Sequence, residues 1–476
     1  MQFTHEVNRL VIGLLALFGI VTMAAAYWAV IGPDTILKRD DNPRRVEAAA
    51  SILRGSLLDR DGRTLVESTR NDSGRVTRQY LSPAMYSALG YFSLRYGADG
   101  AENAYDSLLS GSSVTRDTST LLLDSLLHRA TVGSDAQLTL DLDVQERIAD
   151  AMDGQQGAVV VLSVPDGAVL AMLSLPTYDP NTLDANWDTL VVAPGNPFFN
   201  RVLQGRYQPG GALETPLMAA AFLVNQPIGD AIDQATDPVT LDNLELSCAV
   251  RLPSMALPLR DAYTFACPNA FRTLALDLGA ETVRATVDTF RLDKQPTLPG
   301  FVPEATTATP TPAAPLALDE NALTRLALGQ ANLTVSPLNM AMMAAAIVND
   351  GNTPQPYLLI GTRDPNAADW TASQAVRPTI PLATANTARQ LQDWMRAAVA
   401  NGAAQNAGRP NIDIGGHAAL AYSGESSLAW FVGFATYAGN RGAAVAVVLE
   451  NSADPGLAAD IGGTALAAAQ VALAQP

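Results

Sequence analysis

Reactive side chains are scarce in this 476-residue chain, and their positions limit the chemistry it could carry. Lys38 and Lys294 are the only lysines and the other 28 basic residues are arginines, so a lysine general base could come from two places only. Histidines occur at 5, 128 and 417, too few for a His-rich metal centre. Cys248 and Cys267, nineteen positions apart, are too few for a structural zinc site and too sparse for a disulfide scaffold. One bridge between them could form if this part of the chain is exported. His417 with Ser423 and a distant acid would outline a triad, but a six-residue gap on a strand-rich stretch reads as a surface histidine. The Gly-Gly pairs at 210–211, 415–416 and 462–463 lack the pattern of a phosphate loop and read as turns. Neither a metal nor a cofactor is expected.

These groups must be positioned by folded elements. A composition of 48% apolar and 16% charged residues excludes chain-wide disorder and points to membrane or exported character. The length suggests two to four domains. A formal charge of −17 opposes any grip on a phosphate backbone, so nucleic acid is excluded as a partner.

Residues 10–32 are uncharged and long enough to cross a ~30 Å hydrocarbon core, with Tyr27 and Trp28 near the end where amphipathic rings favour the interface. Flanking charge leaves the orientation open. Arg9 precedes the run, while Lys38, Arg39, Arg44 and Arg45 follow it among Asp34, Asp40 and Asp41. Long domains translocate largely regardless of such charges.

Residues 42–135 are polar, with short strand-like runs and turn signals at DRDG (59–62) and NDSG (71–74). A strand and helix follow over 137–152, then a hairpin over 157–174 turning at PDG. The segment 303–315, rich in Pro, Thr and Ala, reads as a surface loop or insert. An apolar helix is predicted within 333–351, strands over 429–435 and 443–450, and an alanine-rich helix at the end. Strands at both ends of a domain with helices between them predict an α/β or α+β sheet closed by the termini of that domain.

The segment NRVLQGRYQPGGALETPLMAAAFL (200–223) resembles the first motif region of class B penicillin-binding proteins, the D,D-transpeptidases that cross-link peptidoglycan. RGSLLDRDGRTL (54–65), LTLDLDVQ (138–145), LSLPTYDPN (173–181), LALGQANLTVSPLNMAMMAAAIVNDG (326–351) and AWFVGFA (429–435) agree in order and spacing. The resemblance implies a cytoplasmic tail at 1–9, a membrane helix at 10–32, and a β-rich pedestal or dimerisation-like domain at 33–135. A penicillin-binding transpeptidase-like domain would follow at 136–476, a mainly antiparallel sheet flanked by helices, all of it extracytoplasmic.

All three catalytic motifs of that family are degenerate. Aligned on YQPG, Gly211 stands at the nucleophilic serine and Glu214 at its activating lysine. In FACPNAF, Ala266 and Pro268 replace the serine and asparagine of S-x-N, with Cys267, a cysteine common in that motif, between them. Spacing back from AWFVGFA puts Tyr422 at the lysine of K-T/S-G, before Ser423, Gly424 and an anionic Glu425. These losses predict a chain that is no enzyme, a transpeptidase-fold pseudoenzyme. It would act as scaffold or regulator, with cell-wall synthesis or division proteins, or an active paralogue, as partners. Two alternatives stand beside it: a cleft that binds muropeptide or β-lactam without acylation, and an active D,D-transpeptidase with relocated catalytic groups.

Overall fold

The structure, a computed structural model, describes residues 3–32, 50–71, 76–112, 131–301, 319–330, 332–365, 367–373, 378–424, 426–439 and 441–474. The 303–315 insert and Glu425 lie outside them. Two units are distinguished: 1–53 with 68–77 and 116–132, and 54–67 with 78–115 and 133–476.

In the first unit, helix α1 (Phe3–Gly32) contains a stretch, Val7–Tyr27, long and apolar enough to cross a membrane, and none of that stretch is buried. A helix whose apolar side chains point outward all round has found no protein core to pack on, as expected for a membrane span.

Two sheets are formed by the strands that follow. Strands β1 (Leu57–Leu58), β2 (Thr64–Arg70), β3 (Val76–Tyr80) and β4 (Asp135–Leu138) are completed by β7 (Leu359–Arg363) and β8 (Thr371–Ala372), in the order β8-β7-β4-β1-β2-β3. The larger sheet has five strands in the order β9-β10-β11-β5-β6. They are β5 (Gly157–Val164), β6 (Val169–Leu175), β9 (Asp413–Ser423), β10 (Ser426–Tyr437) and β11 (Arg441–Glu450). Every pairing in it is antiparallel, with β5 hydrogen-bonded to both β6 and β11. All eight residues of β5 are buried, which is why GAVVVLSV lacks the alternation of a one-sided strand.

Helices cover this sheet. After α2 (Leu142–Ala151) come α3 (Glu214–Leu223), α4 (Leu259–Thr264), α5 (Pro268–Thr289), α6 (Pro337–Val348), α7 (Ala385–Asn401) and α8 (Pro455–Ala474). α6 starts where the sequence predicts: the Ser336 hydroxyl accepts from the Asn339 amide at 3.2 Å and Pro337 fills a position whose N–H has no partner in a helix. Although α8 is as long and apolar as a membrane span, most of it is buried, packed against β10 and β11.

Two of the three Gly-Gly pairs are not turns. Gly415–Gly416 lie inside β9 and Gly462–Gly463 inside α8. A Cβ at 415 would strike the Phe434 ring, one at 416 or 462 the Phe431 ring, and one at 463 the Ala407 backbone. Close approach of large rings to backbone demands glycine here, a tertiary requirement with no local signature.

Candidate active site

The first-motif segment folds as a single 3-10 turn, Gly210–Leu213, that runs straight into α3. Gly210 has φ of +51° and lies against Leu420 and Ala421 of β9, where a side chain would collide with the strand. At Gly211 a Cβ would come within 2.9 Å of the Ala419 Cβ and 3.4 Å of Glu214 Oε1. The position expected for a nucleophile is therefore closed to a side chain unless Ala419 gives way.

The cleft beside it is lined by Gly211 and Glu214, by Leu246 and Ser247, by Ala266 and Pro268, by Ala327, Leu328 and Gln330, and by Ala419, Leu420 and Tyr422. It leaves about 20 Å³ for the centres of water molecules, room for roughly one water. The structure thus brings parts of all three degenerate motifs to one place. Ser423 and Gly424 stand apart from this lining, exposed at the tip of the β9–β10 hairpin, where Ser423 pairs with Ser426 and Gly424 has φ of +61°. The strand residue that abuts Gly211 is instead Ala419, and the one that reaches Glu214 is His417.

His417 is the residue that sequence reasoning misplaced. Read as a surface histidine, it is 1% exposed and sits mid-strand in β9, opposite Val432. The six-residue gap to Ser423 carries no chemistry, because the strand runs on to the hairpin tip and takes Ser423 away from the imidazole. Instead His417 Nε2 is 3.2 Å from Glu214 Oε2, the two side chains sharing a dry site. The alignment falls short of a hydrogen bond, leaving Glu214 Oε2 and both His417 nitrogens without hydrogen-bond partners. Burial pushes the Glu214 carboxyl above the ordinary glutamate range, and His417 opposes that shift without cancelling it. The Tyr263 ring of α4 stacks on the imidazole, 4.3 Å between centroids at 18°, and its Oη is 2.9 Å from Thr215 Oγ1.

Ala266 takes φ of +50° at the turn into α5, and Pro268 opens that helix. Between them Cys267 is joined to Cys248 in a disulfide, which ties the α5 turn to the segment carrying Ser247. Among the described residues no group of three or more His, Cys, Asp or Glu could hold a metal ion.

The penicillin binding protein transpeptidase domain matches residues 157–471, and the penicillin binding protein A dimerisation domain matches 54–135. The chain is 30% identical to the peptidoglycan D,D-transpeptidase PbpA of Mycolicibacterium smegmatis over 98% of both chains. To the protein of the same name from Mycobacterium tuberculosis it is 28% identical over 94% of both. The solved imipenem acyl-enzyme complex of M. tuberculosis penicillin-binding protein A superposes with a TM-score of 0.76 at 29% identity, covering 89% of this chain and 99% of that one.

These findings overturn the expectation of a pseudoenzyme. Relatives aligned along nearly the whole chain are named D,D-transpeptidases, and solved relatives carry acyl groups from imipenem and penicillin G. The inference from missing residues rested on the side chains at a few fixed motif positions, whereas the relatives match along nearly the whole chain. From the matched domain, the near full-length relatives and the shared architecture, the chain belongs to the penicillin-binding protein transpeptidase family.

Proposed function

We propose that this chain is a membrane-anchored D,D-transpeptidase-type enzyme of peptidoglycan synthesis whose catalytic groups have moved, with Glu214 as the proton acceptor. The observation that carries this reading is the buried Glu214–His417 contact beneath Gly211, a titratable pair with a raised carboxyl pKa at the floor of the family's cleft. A carboxylate made more basic by burial is better matched to removing a proton near neutral pH than an exposed one.

With no side chain on Gly211, the attacking group in this reading is the acceptor itself. A donor stem peptide lies along β9, an edge strand of the five-stranded sheet, and adds to it by main-chain pairing. The acceptor amine, or a water in the space over Gly211, attacks the carbonyl carbon of the penultimate D-alanine. As the new C–N or C–O bond forms, its proton passes to Glu214. The C–N bond to the terminal D-alanine breaks, and Glu214 returns the proton to the departing amine. His417 stabilises the ionised carboxylate between turnovers.

Residues 1–9 are the cytoplasmic tail in this reading, α1 spans the membrane, and the remainder is extracytoplasmic. The partners are cell-wall synthesis or division proteins in the same membrane, reached through α1 and the domain at 54–135.

The test is D-alanine release from a peptide ending in D-Ala-D-Ala by the full-length protein in detergent, with and without an acceptor amine. Release by the unaltered protein and its loss in Glu214→Gln are expected, together with no boil-stable label from a fluorescent penicillin. Absence of release would sink the proposal; a boil-stable label would replace the one-step route with an acyl-enzyme on a different nucleophile.

A further inference from the structure

His417 presents an orientation problem. An imidazole without a hydrogen bond to either nitrogen is free to flip or rotate unless packing holds it, and a base pair for proton transfer requires a fixed face. Among the described residues the aromatic ring stacked on it is that of Tyr263, itself 0% exposed and nearly parallel to the imidazole. Tyr263 is fixed in turn at two points: its Oη by Thr215 Oγ1, and its ring by Phe271 of α5 and Trp394 of α7 at 6.3 and 5.9 Å. Thr215 follows Glu214 on α3. The four side chains therefore close a loop: Glu214 to His417, His417 to Tyr263, Tyr263 to Thr215, and back along the helix backbone to Glu214.

From this loop we infer that Tyr263 is the positioning residue of the Glu214–His417 pair, holding the imidazole with Nε2 toward the carboxylate. The inference rests on the acid–base reading of Glu214 given above. Burial raises the Tyr263 hydroxyl far above its ordinary range, so it stays protonated and serves as a neutral strut. The ionisable groups around His417 are few. Glu214 faces it from α3 and Tyr263 from α4; on its own strand Asp413 lies four residues, two pleat repeats, away, committed to Arg396 of α7 and Thr436 of β10. Across the ladder it meets Val432.

The experiment compares Tyr263→Leu, which removes the stack, with Tyr263→Phe, which keeps the ring and removes only the bond to Thr215. Full-length protein with 15N-labelled histidine is read by NMR, the His417 signal being identified by its disappearance in His417→Gln. In Tyr263→Leu the His417 ring signal broadens or splits as the imidazole samples more than one orientation; in Tyr263→Phe it stays single and in place. D-alanine release falls roughly 10–100-fold in kcat with KM little changed for the leucine variant, the order expected when a catalytic group is misplaced by about 1 Å, and the phenylalanine variant recovers most of it. A single, unbroadened His417 signal in the leucine protein would overturn the inference, as would equal losses of turnover in both variants. If Tyr263→Leu does not fold, Tyr263→Met, closer in volume, removes the stacked ring with a smaller cavity and must likewise broaden or split the His417 signal. Because that signal is read without substrate, an unaltered protein that releases no D-alanine would count against the acid–base reading alone.

Discussion

Among the buried charges of the described residues, two acids are held in opposite ways. In the short helix Gly100–Ala104, Glu102 is fully buried, yet it is saturated: Arg54 Nη2 donates to Oε2 at 2.9 Å, Arg78 Nε to Oε1 at 2.7 Å and the Tyr80 hydroxyl to Oε1 at 3.3 Å. Arg54 also binds Asp106 at 2.6 Å and lies over the Phe92 ring. At the cleft, Glu214 is equally dry but meets a single misaligned imidazole. A charge held by several donors is locked and its proton affinity is of no use to a reaction. A charge held by one soft contact remains able to take up and release a proton. The first arrangement is architecture; the second is the one the proposed chemistry requires.

The comparison is broken most severely by exchanging the two acids in turn for their amides. Glu214→Gln is expected to cut D-alanine release by about 10²–10⁴-fold, the usual contribution of a general base, while thermal unfolding shows the protein still folded. Glu102→Gln does the reverse. Taking the charge from a buried, multiply paired acid costs about 3–5 kcal/mol, read as a lower denaturation midpoint, while release per folded molecule stays unchanged. If both variants lost stability and neither lost turnover selectively, the distinction drawn between the sites would be wrong.

A finer probe is pH. The Glu214 carboxyl binds its proton more tightly in the folded chain than at its ordinary value of 4.5. Its contribution to stability is therefore complete below that value and is lost as pH rises through the higher folded one. Glu214→Gln should accordingly raise the unfolding temperature relative to the unaltered protein at pH 8 and leave it unchanged at pH 4. Turnover should fall on acidification at a pH above that of an exposed glutamate, since the protonated carboxyl cannot accept a proton. A stability difference independent of pH would show that the carboxyl is not perturbed.

The smallest effect is expected at Gly211. Gly211→Ser should not restore a penicillin-labelled enzyme, because Glu214 and not a lysine stands one turn on. It should cost about 1–3 kcal/mol as Ala419 is pushed aside, measurable in urea unfolding. Stable labelling of this variant would mean that Glu214 can activate a hydroxyl and that acyl-enzyme chemistry needs only the missing side chain.

What the sequence determined by itself is the part of the protein governed by local rules. The uncharged run at 10–32, the hairpin turning at PDG, the proline-started helix after Ser336 and the β10–β11 pair were legible because periodicity, caps and turn residues act within a few positions. Only the tertiary structure decided that His417 is buried against Glu214, that Gly415, Gly416, Gly462 and Gly463 serve ring packing, and that Ala419 rather than Tyr422 abuts Gly211. The reason is physical. His417 and Glu214 are 203 positions apart in sequence, and a 3.2 Å contact between them exists only once β9 has joined its sheet and α3 has packed on it. A motif reports which residue occupies a position, whereas catalytic capacity depends on which groups the fold brings together and how completely it leaves them unsatisfied.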